Sequence, residues 1–102
     1  NILKYEDIEM NLQTKKIIRQ NISIELTPKE FALLEYFIRN KEKVVTKNEI
    51  IEYVWDINFE TGTNLVEVYV NYLRNKIDKP FEHKLIHTRF GVGYIFQKDQ
   101  VS

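Results

Sequence analysis

The sequence predicts an α+β domain: a small antiparallel sheet, then three helices, then a closing β-hairpin. Three observations predict it. The first quarter alternates apolar and polar residues, two Thr-x-x-Glu boxes each open a stripe of helical period, and two of the three glycines stand one residue apart between apolar runs near the end.

A chain of 102 residues makes one small domain, with enough apolar content to close a core and little to spare. No stretch approaches the roughly 20 apolar residues of a membrane span, and no signal peptide is visible, so a cytoplasmic protein is expected. Cysteine is absent, which excludes disulfides and thiolate metal sites. The first residue is Asn1 rather than Met, which suggests a domain excised from something longer. Net charge is zero, but residues 1–62 carry nine Lys/Arg against eleven Asp/Glu while residues 63–98 carry six against three. That polarity is compatible with one face meeting an anion and equally with ordinary scatter of surface charge.

In the first quarter, Ile8, Met10 and Leu12 alternate with Glu9 and Asn11, and Ile22, Ile24 and Leu26 alternate with Ser23 and Glu25. Gln20-Asn21 reads as a turn between strands, and the alternation as a sheet with one buried face. The period changes at Thr27-Pro28-Lys29-Glu30. This is a capping box with proline at the first helical position, flanked by Leu26 and Phe31 at the staple positions. Phe31, Leu34, Phe37 and Ile38 then mark the buried stripe of a helix reaching about Arg39. Val45-Thr46-Lys47-Asn48-Glu49-Ile50 repeats staple, cap and box for a second helix buried through Ile50, Ile51 and Val54, and Val44-Val45 before it can pair as a strand.

Asn64 is expected to open a third helix with Glu67 at its third position. On a helical wheel Val66, Val70, Leu73 and Ile77 share one face, and Val68, Asn71, Tyr72 and Asn75 share the opposite one. A solvated face is ordinarily built of Lys and Glu, which are good helix formers, whereas asparagine is a poor one. Its double occurrence calls for a reason. Asparagine can pair with the N6/N7 edge of adenine, and an apolar side chain can meet a thymine methyl. The alternative is that this face packs against a protein partner.

The last element is LIHTRFGVGYIF, residues 85–96. Two strand-like runs around glycines that can take positive φ read as a β-hairpin. The G-x-G does not continue into G-x-x-G, and no helix opens after Gly93, so a phosphate loop is not supported.

With these motifs in this order, the sequence resembles the DNA-binding effector domain of OmpR/PhoB-type response regulators over essentially its whole length. LTPKEFALL (26–34), VVTKNEIIEYVW (44–55), TNLVEVYVNYLRNKID (63–78) and LIHTRFGVGY (85–94) carry the resemblance. It implies a winged helix-turn-helix across residues 1–102, with a recognition helix at about 64–77 in the major groove of double-stranded DNA and a wing at about 85–96 against the minor groove. By the same resemblance, Lys47, Trp55, Asn64, Tyr69, Arg74, Thr88 and Tyr94 meet the phosphate backbone, for which cations, an indole N–H, an amide and hydroxyls are suitable donors. Val68, Asn71 and Tyr72 read bases; the helical wheel adds Asn75. Arg89, Phe90, Gly91 and Gly93 form the wing. The connector Asp56, Ile57, Asn58, Phe59 and Glu60 faces RNA polymerase, or else is a packed linker with Phe59 in the core. The partners implied are direct-repeat DNA half-sites, an N-terminal receiver domain absent from this chain, the sensor kinase that acts on it, and RNA polymerase.

Two departures from the family pattern matter. Where such domains often carry a basic residue, this chain has Asn64, Asn71 and Tyr72, which implies weaker sequence-independent affinity and a shallower salt dependence. At the wing the usual order of an apolar residue followed by Arg is reversed to Arg89-Phe90. Strict alternation turns Arg89 inward and Phe90 outward, so either a bulge restores Arg89 to the groove or Phe90 is the tip; the bulge is the expectation adopted.

An enzyme is not expected. Ser23 and Ser102 have no evident base, and His83 and His87 follow Pro80 with His87 in a predicted strand, which is poor context for metal. No cofactor is expected either. The competing class is a protein-interaction winged helix, in which Val68, Tyr72 and Phe90 form an apolar patch without base readout.

Overall fold

The period-two opening becomes a four-stranded antiparallel meander. A computed structural model describes residues 1–55 and 63–98, and its first sheet is β1 (Ile2–Tyr5), β2 (Ile8–Asn11), β3 (Ile17–Arg19) and β4 (Ile22–Ile24), in chain order. Alternation thus starts one strand earlier than the patterned residues alone suggest. Gln20 and Asn21 have φ of 53° and 66° and join Arg19 to Ile22 as paired partners. Positive φ at both central residues matches the right-handed twist of a two-residue hairpin. Tyr5, Ile8, Met10 and Ile17 face the core and Ile24 packs against it, but Ile22, on the same edge strand β4, is half exposed.

Helix α1 (Pro28–Arg39) begins as the capping box requires. The Glu30 amide donates to Thr27 Oγ1 at 3.3 Å, and the Thr27 amide donates to Glu30 Oε1 at 2.9 Å. Two otherwise orphan donors are satisfied locally, a cap typically worth about 1 kcal/mol. The second box closes in the same way, with the Glu49 amide on Thr46 Oγ1 at 3.1 Å and the Thr46 amide on Glu49 Oε1 at 2.8 Å. It starts helix α2 (Lys47–Trp55) directly after strand β5 (Val44–Thr46).

Helix α3 (Thr63–Ile77) starts one residue before the expected cap, so Asn64 lies inside the first turn. Val66, Val70, Leu73 and Ile77 are fully buried, as the wheel requires. Each stabilises the fold by roughly 1.5–3 kcal/mol relative to exposure. The chain closes with β6 (Ile86–Arg89) and β7 (Gly93–Phe96), and the second sheet runs β5-β7-β6. Helix α1 packs on α2, α3, β1 and β7. Its Phe37 stacks on Phe96 at 5.8 Å and meets Tyr94 edge-on at 6.4 Å, so one ring ties the first helix to the hairpin.

The two closing glycines serve different needs. Gly91 has φ of 79° at the third position of a turn closed by the Val92 amide on the Arg89 carbonyl at 3.0 Å; this position in a type II turn demands positive φ. Gly93 lacks that conformation. A Cβ there would lie 2.0 Å from the Val45 carbonyl oxygen, so glycine is needed for the close approach of β5 to β7.

Candidate nucleic-acid interface

Helix α3 is held at several points along its length, and this leaves one face for outside contacts. Lys76 Nζ donates to Glu30 Oε1 at 2.6 Å, tying α3 to the capping box of α1. Arg74 Nη2 donates to Thr88 Oγ1 at 2.7 Å and to the Ile86 carbonyl at 3.3 Å, with the guanidinium 5.6 Å from the Tyr94 ring. Beyond its last turn, Asp78 accepts from the amides of Leu85 and Ile86 at 3.0 and 2.9 Å, fixing where β6 begins. Arg74, expected at the phosphate backbone, therefore also clamps the helix to the hairpin.

The face turned away from the core carries Asn64, Glu67, Val68, Asn71, Tyr72 and Asn75, all exposed. Val68 at 42 % and Tyr72 at 48 % exposure are unusually apolar for such a surface. Beside this face, the start of α2, the first turns of α3 and the hairpin enclose a cleft of about 640 Å³. It brings together eight of the predicted residues: Lys47, Asn71, Thr88, Arg89, Phe90, Gly91, Gly93 and Tyr94. Val68, Tyr72 and Asn75 lie outside the cleft on the open face, and Asn64 is at the N-terminal end of the same helix. Trp55, Tyr69 and Tyr72 form an aromatic ladder, with ring centroids 5.1 Å and then 5.4 Å apart in edge-on pairs. Trp55 is half-buried and Tyr94 is buried, so both serve the fold, and Tyr94 also lines the cleft.

Burial pushes the Tyr94 phenol above its ordinary value, with the nearby Lys47 opposing it, so the hydroxyl stays protonated and able to donate. Lys47 is held charged more firmly than a free lysine, mainly by its hydrogen bond to Glu67. From the sequence, Glu67 is expected only at the third position of the helix that Asn64 opens, with no part in an interface. Its partner lies 20 residues away in another helix, and no local signal links the two.

The wing departs from expectation. Pairing is regular from Ile86–Phe96 to Arg89–Gly93, so the bulge expected to restore Arg89 is not formed. Phe90 stands at the tip, 92 % exposed, while Arg89 is half-buried and lines the cleft nonetheless. The connector Asp56–Glu60 lies outside the described residues. His87 is in β6 with Nε2 2.9 Å from the Gln97 carbonyl oxygen.

An exposed helix face of amide and apolar groups, a flanking cleft with cations and hydroxyls, and a projecting hairpin define a winged helix-turn-helix of the nucleic-acid-binding class. Residues 20–96 match the family described as "Transcriptional regulatory protein, C terminal". The chain is 45 % identical over 91 residues to the transcriptional regulatory protein CusR of Escherichia coli, covering 89 % of this chain and 40 % of CusR. Among solved structures it resembles a redox sensor of the streptococci evolved from two-component response regulators, with 33 % identity and a TM-score of 0.84 over 95 % of this chain and 42 % of that one. The Klebsiella pneumoniae RstA DNA-binding domain, solved in complex with the RstA box, matches with a TM-score of 0.86 over 95 % of this chain and 97 % of that one; at 15 % identity it shows the fold alone. The chain belongs to the family of OmpR/PhoB-type C-terminal effector domains, DNA-binding domains of transcriptional regulators. It spans about two fifths of the length of the curated relatives it matches.

Proposed function

We propose that the domain reads a short duplex sequence by laying α3 in the major groove and the β6–β7 hairpin against the adjacent minor groove. The observation that carries this is the exposed Val68, Asn71, Tyr72 and Asn75 face on a helix whose other side is fully buried. Asn71 and Asn75 offer paired donor and acceptor atoms to adenine, Val68 offers a methyl surface to thymine, and Tyr72 adds a ring with a hydroxyl. Lys47, Trp55, Asn64, Tyr69, Arg74, Thr88 and Tyr94 donate to phosphates along the cleft and its margins. Phe90, rather than Arg89, leads the wing and meets sugars, and Arg89 contributes charge from the cleft side.

Residues 1–102 act as one effector unit joined to an N-terminal receiver, which a sensor kinase phosphorylates and which pairs two copies on direct-repeat half-sites. The short coverage of its relatives supports a longer chain. The connector Asp56–Glu60 meets RNA polymerase. Among the described residues no helix is long and apolar enough to cross a membrane, which is consistent with a cytoplasmic regulator.

Selection from a randomised duplex pool, with affinities of the winners taken at two salt concentrations, tests the reading. Enrichment of a short tandem half-site, with affinity falling as salt rises, is the expected result. Salt-insensitive association with proteins, and none with duplex, would instead favour a protein-docking surface built on Val68, Tyr72 and Phe90.

A further inference from the structure

We propose that Glu67 is an internal competitor for the DNA backbone: it occupies Lys47 in the free protein and so limits sequence-independent affinity. The proposal rests on the DNA-binding reading and extends it to a residue which that reading leaves without a role.

Lys47 is the first residue of α2, and Glu67 stands on α3 one helical turn before Asn71. Their side chains form a direct ion pair. Both are well exposed, at 36 % and 51 %, and an exposed pair adds little to the stability of a fold. Its position is therefore more informative than its contribution to folding. Both residues line the cleft together with Asn71, Thr88 and Arg89, where a phosphate backbone would run. The two partnered cations of α3 itself differ. Lys76 meets Glu30, which is buried in the capping box, and Arg74 reaches a hydroxyl and a carbonyl, so neither partner is an acid exposed on the cleft rim.

A phosphate arriving at Lys47 must displace or share Glu67, and the released carboxylate then faces a second anion. Both effects subtract from the backbone term. They also change its salt dependence. A lysine that neutralises one phosphate releases close to one counterion, about 0.9 in the logarithmic slope. When the lysine leaves a carboxylate behind, that carboxylate recruits a cation, and the net release is cancelled. The raised pKa of Lys47 agrees with a pair that is formed before any ligand arrives.

The test uses the 102-residue chain, a random-sequence duplex and the variants Glu67→Gln, Lys47→Met and the double substitution. Glu67→Gln is expected to raise affinity severalfold and to steepen the salt slope by about one. In the Lys47→Met background, where only the repulsion between the Glu67 carboxylate and phosphate is left, the same change should have a clearly smaller effect on both quantities. Titration of the Lys47 ammonium by NMR, without DNA, should show its pKa falling in Glu67→Gln. An unchanged slope, or an equal effect with and without Lys47, overturns the proposal, as does a loss confined to one base of a selected site, which would make Glu67 a base reader. Absence of any duplex binding by the parent chain at low salt overturns the DNA reading and this proposal together; duplex binding with an unchanged slope overturns this proposal alone.

Discussion

The Arg19 guanidinium donates to Asp78 Oδ1 at 3.0 Å with both side chains closed off from water, joining the first sheet to the end of α3. Arg19 also donates to Asp7 Oδ1 at 2.9 Å and to the carbonyls of Ile77 and His83, and it lies over the Phe81 ring at 4.7 Å. Asp78 spends its remaining capacity on the Leu85 and Ile86 amides. The cluster is satisfied on every side. Removing one partner strands a buried charge, which typically costs about 3–5 kcal/mol, whereas exchanging both for apolar groups costs far less. Asp78→Ala should accordingly lower the urea midpoint steeply, and Arg19→Met with Asp78→Leu should recover only the part due to the unpaired charge, since the Leu85 and Ile86 amides still lack their acceptor. Equal midpoints for Asp78→Ala and the double variant would show that the charges are not coupled.

The glycines of the hairpin should separate cleanly in thermal unfolding. Gly91→Ala meets open space but must hold a left-handed φ, a strain of about 1–2 kcal/mol. Gly93→Ala drives a methyl into the Val45 carbonyl and should cost more, through loss of the β5–β7 pairing. A smaller drop in Tm for Gly93→Ala than for Gly91→Ala would contradict this assignment.

Stability should fall in acid through Glu30. Burial pushes its carboxyl up, but the Lys76 ammonium and the Thr27 amide and hydroxyl outweigh this and hold it below the ordinary 4.5. A depressed folded pKa contributes stability that is complete above the unfolded value and lost as pH falls through the folded one. Unfolding free energy measured from pH 6 downward should therefore decline below about 4.5, and Glu30→Gln should flatten that decline. If the variant and parent curves stay parallel, Glu30 is not the source.

Base readout is a prediction about one position at a time. Asn71→Ala should cost about 1–3 kcal/mol on the preferred half-site and little on duplexes changed at its cognate base. Phe90→Ser, at a tip without packing, should leave unfolding within about 0.5 kcal/mol of the parent while weakening DNA binding. A uniform loss across all sequences for Asn71→Ala would make it a backbone contact instead.

Features set by neighbouring residues were legible in the sequence. Both capping boxes, the Gln20-Asn21 turn and the buried stripe of α3 depend on spacings within a few residues, and each formed as read. The sheet edge was not legible, because Ile22 obeys the alternation that Ile17 obeys and only the stacking of helices decides which is covered. Arg19 falls on the inward register of β3, yet its charge argues for an outward one. The partner that reverses this, Asp78, is 59 residues away. The reversed Arg89-Phe90 order was visible, but the turn geometry that puts Phe90 at the tip without a bulge depends on how β7 is held by β5. The cleft was legible as a set of residues, whereas the Lys47–Glu67 pairing inside it was not.

The placement of β5 has a consequence for the order in which the molecule can assemble as it is made. The first sheet pairs only strands that follow one another along the chain, so its hairpins can close as soon as they emerge. The second sheet pairs Val44 with Ile95, and its middle strand is the last one synthesised. Until Phe96 has left the ribosome, β5 has no neighbour and Phe37 lacks the ring it stacks upon. The cleft beside the reading helix is thus the last part of the domain to be completed, and a chain cut short before β7 keeps α3 tied to Glu30 and Thr88 but lacks Tyr94 and the pairing that seats the hairpin.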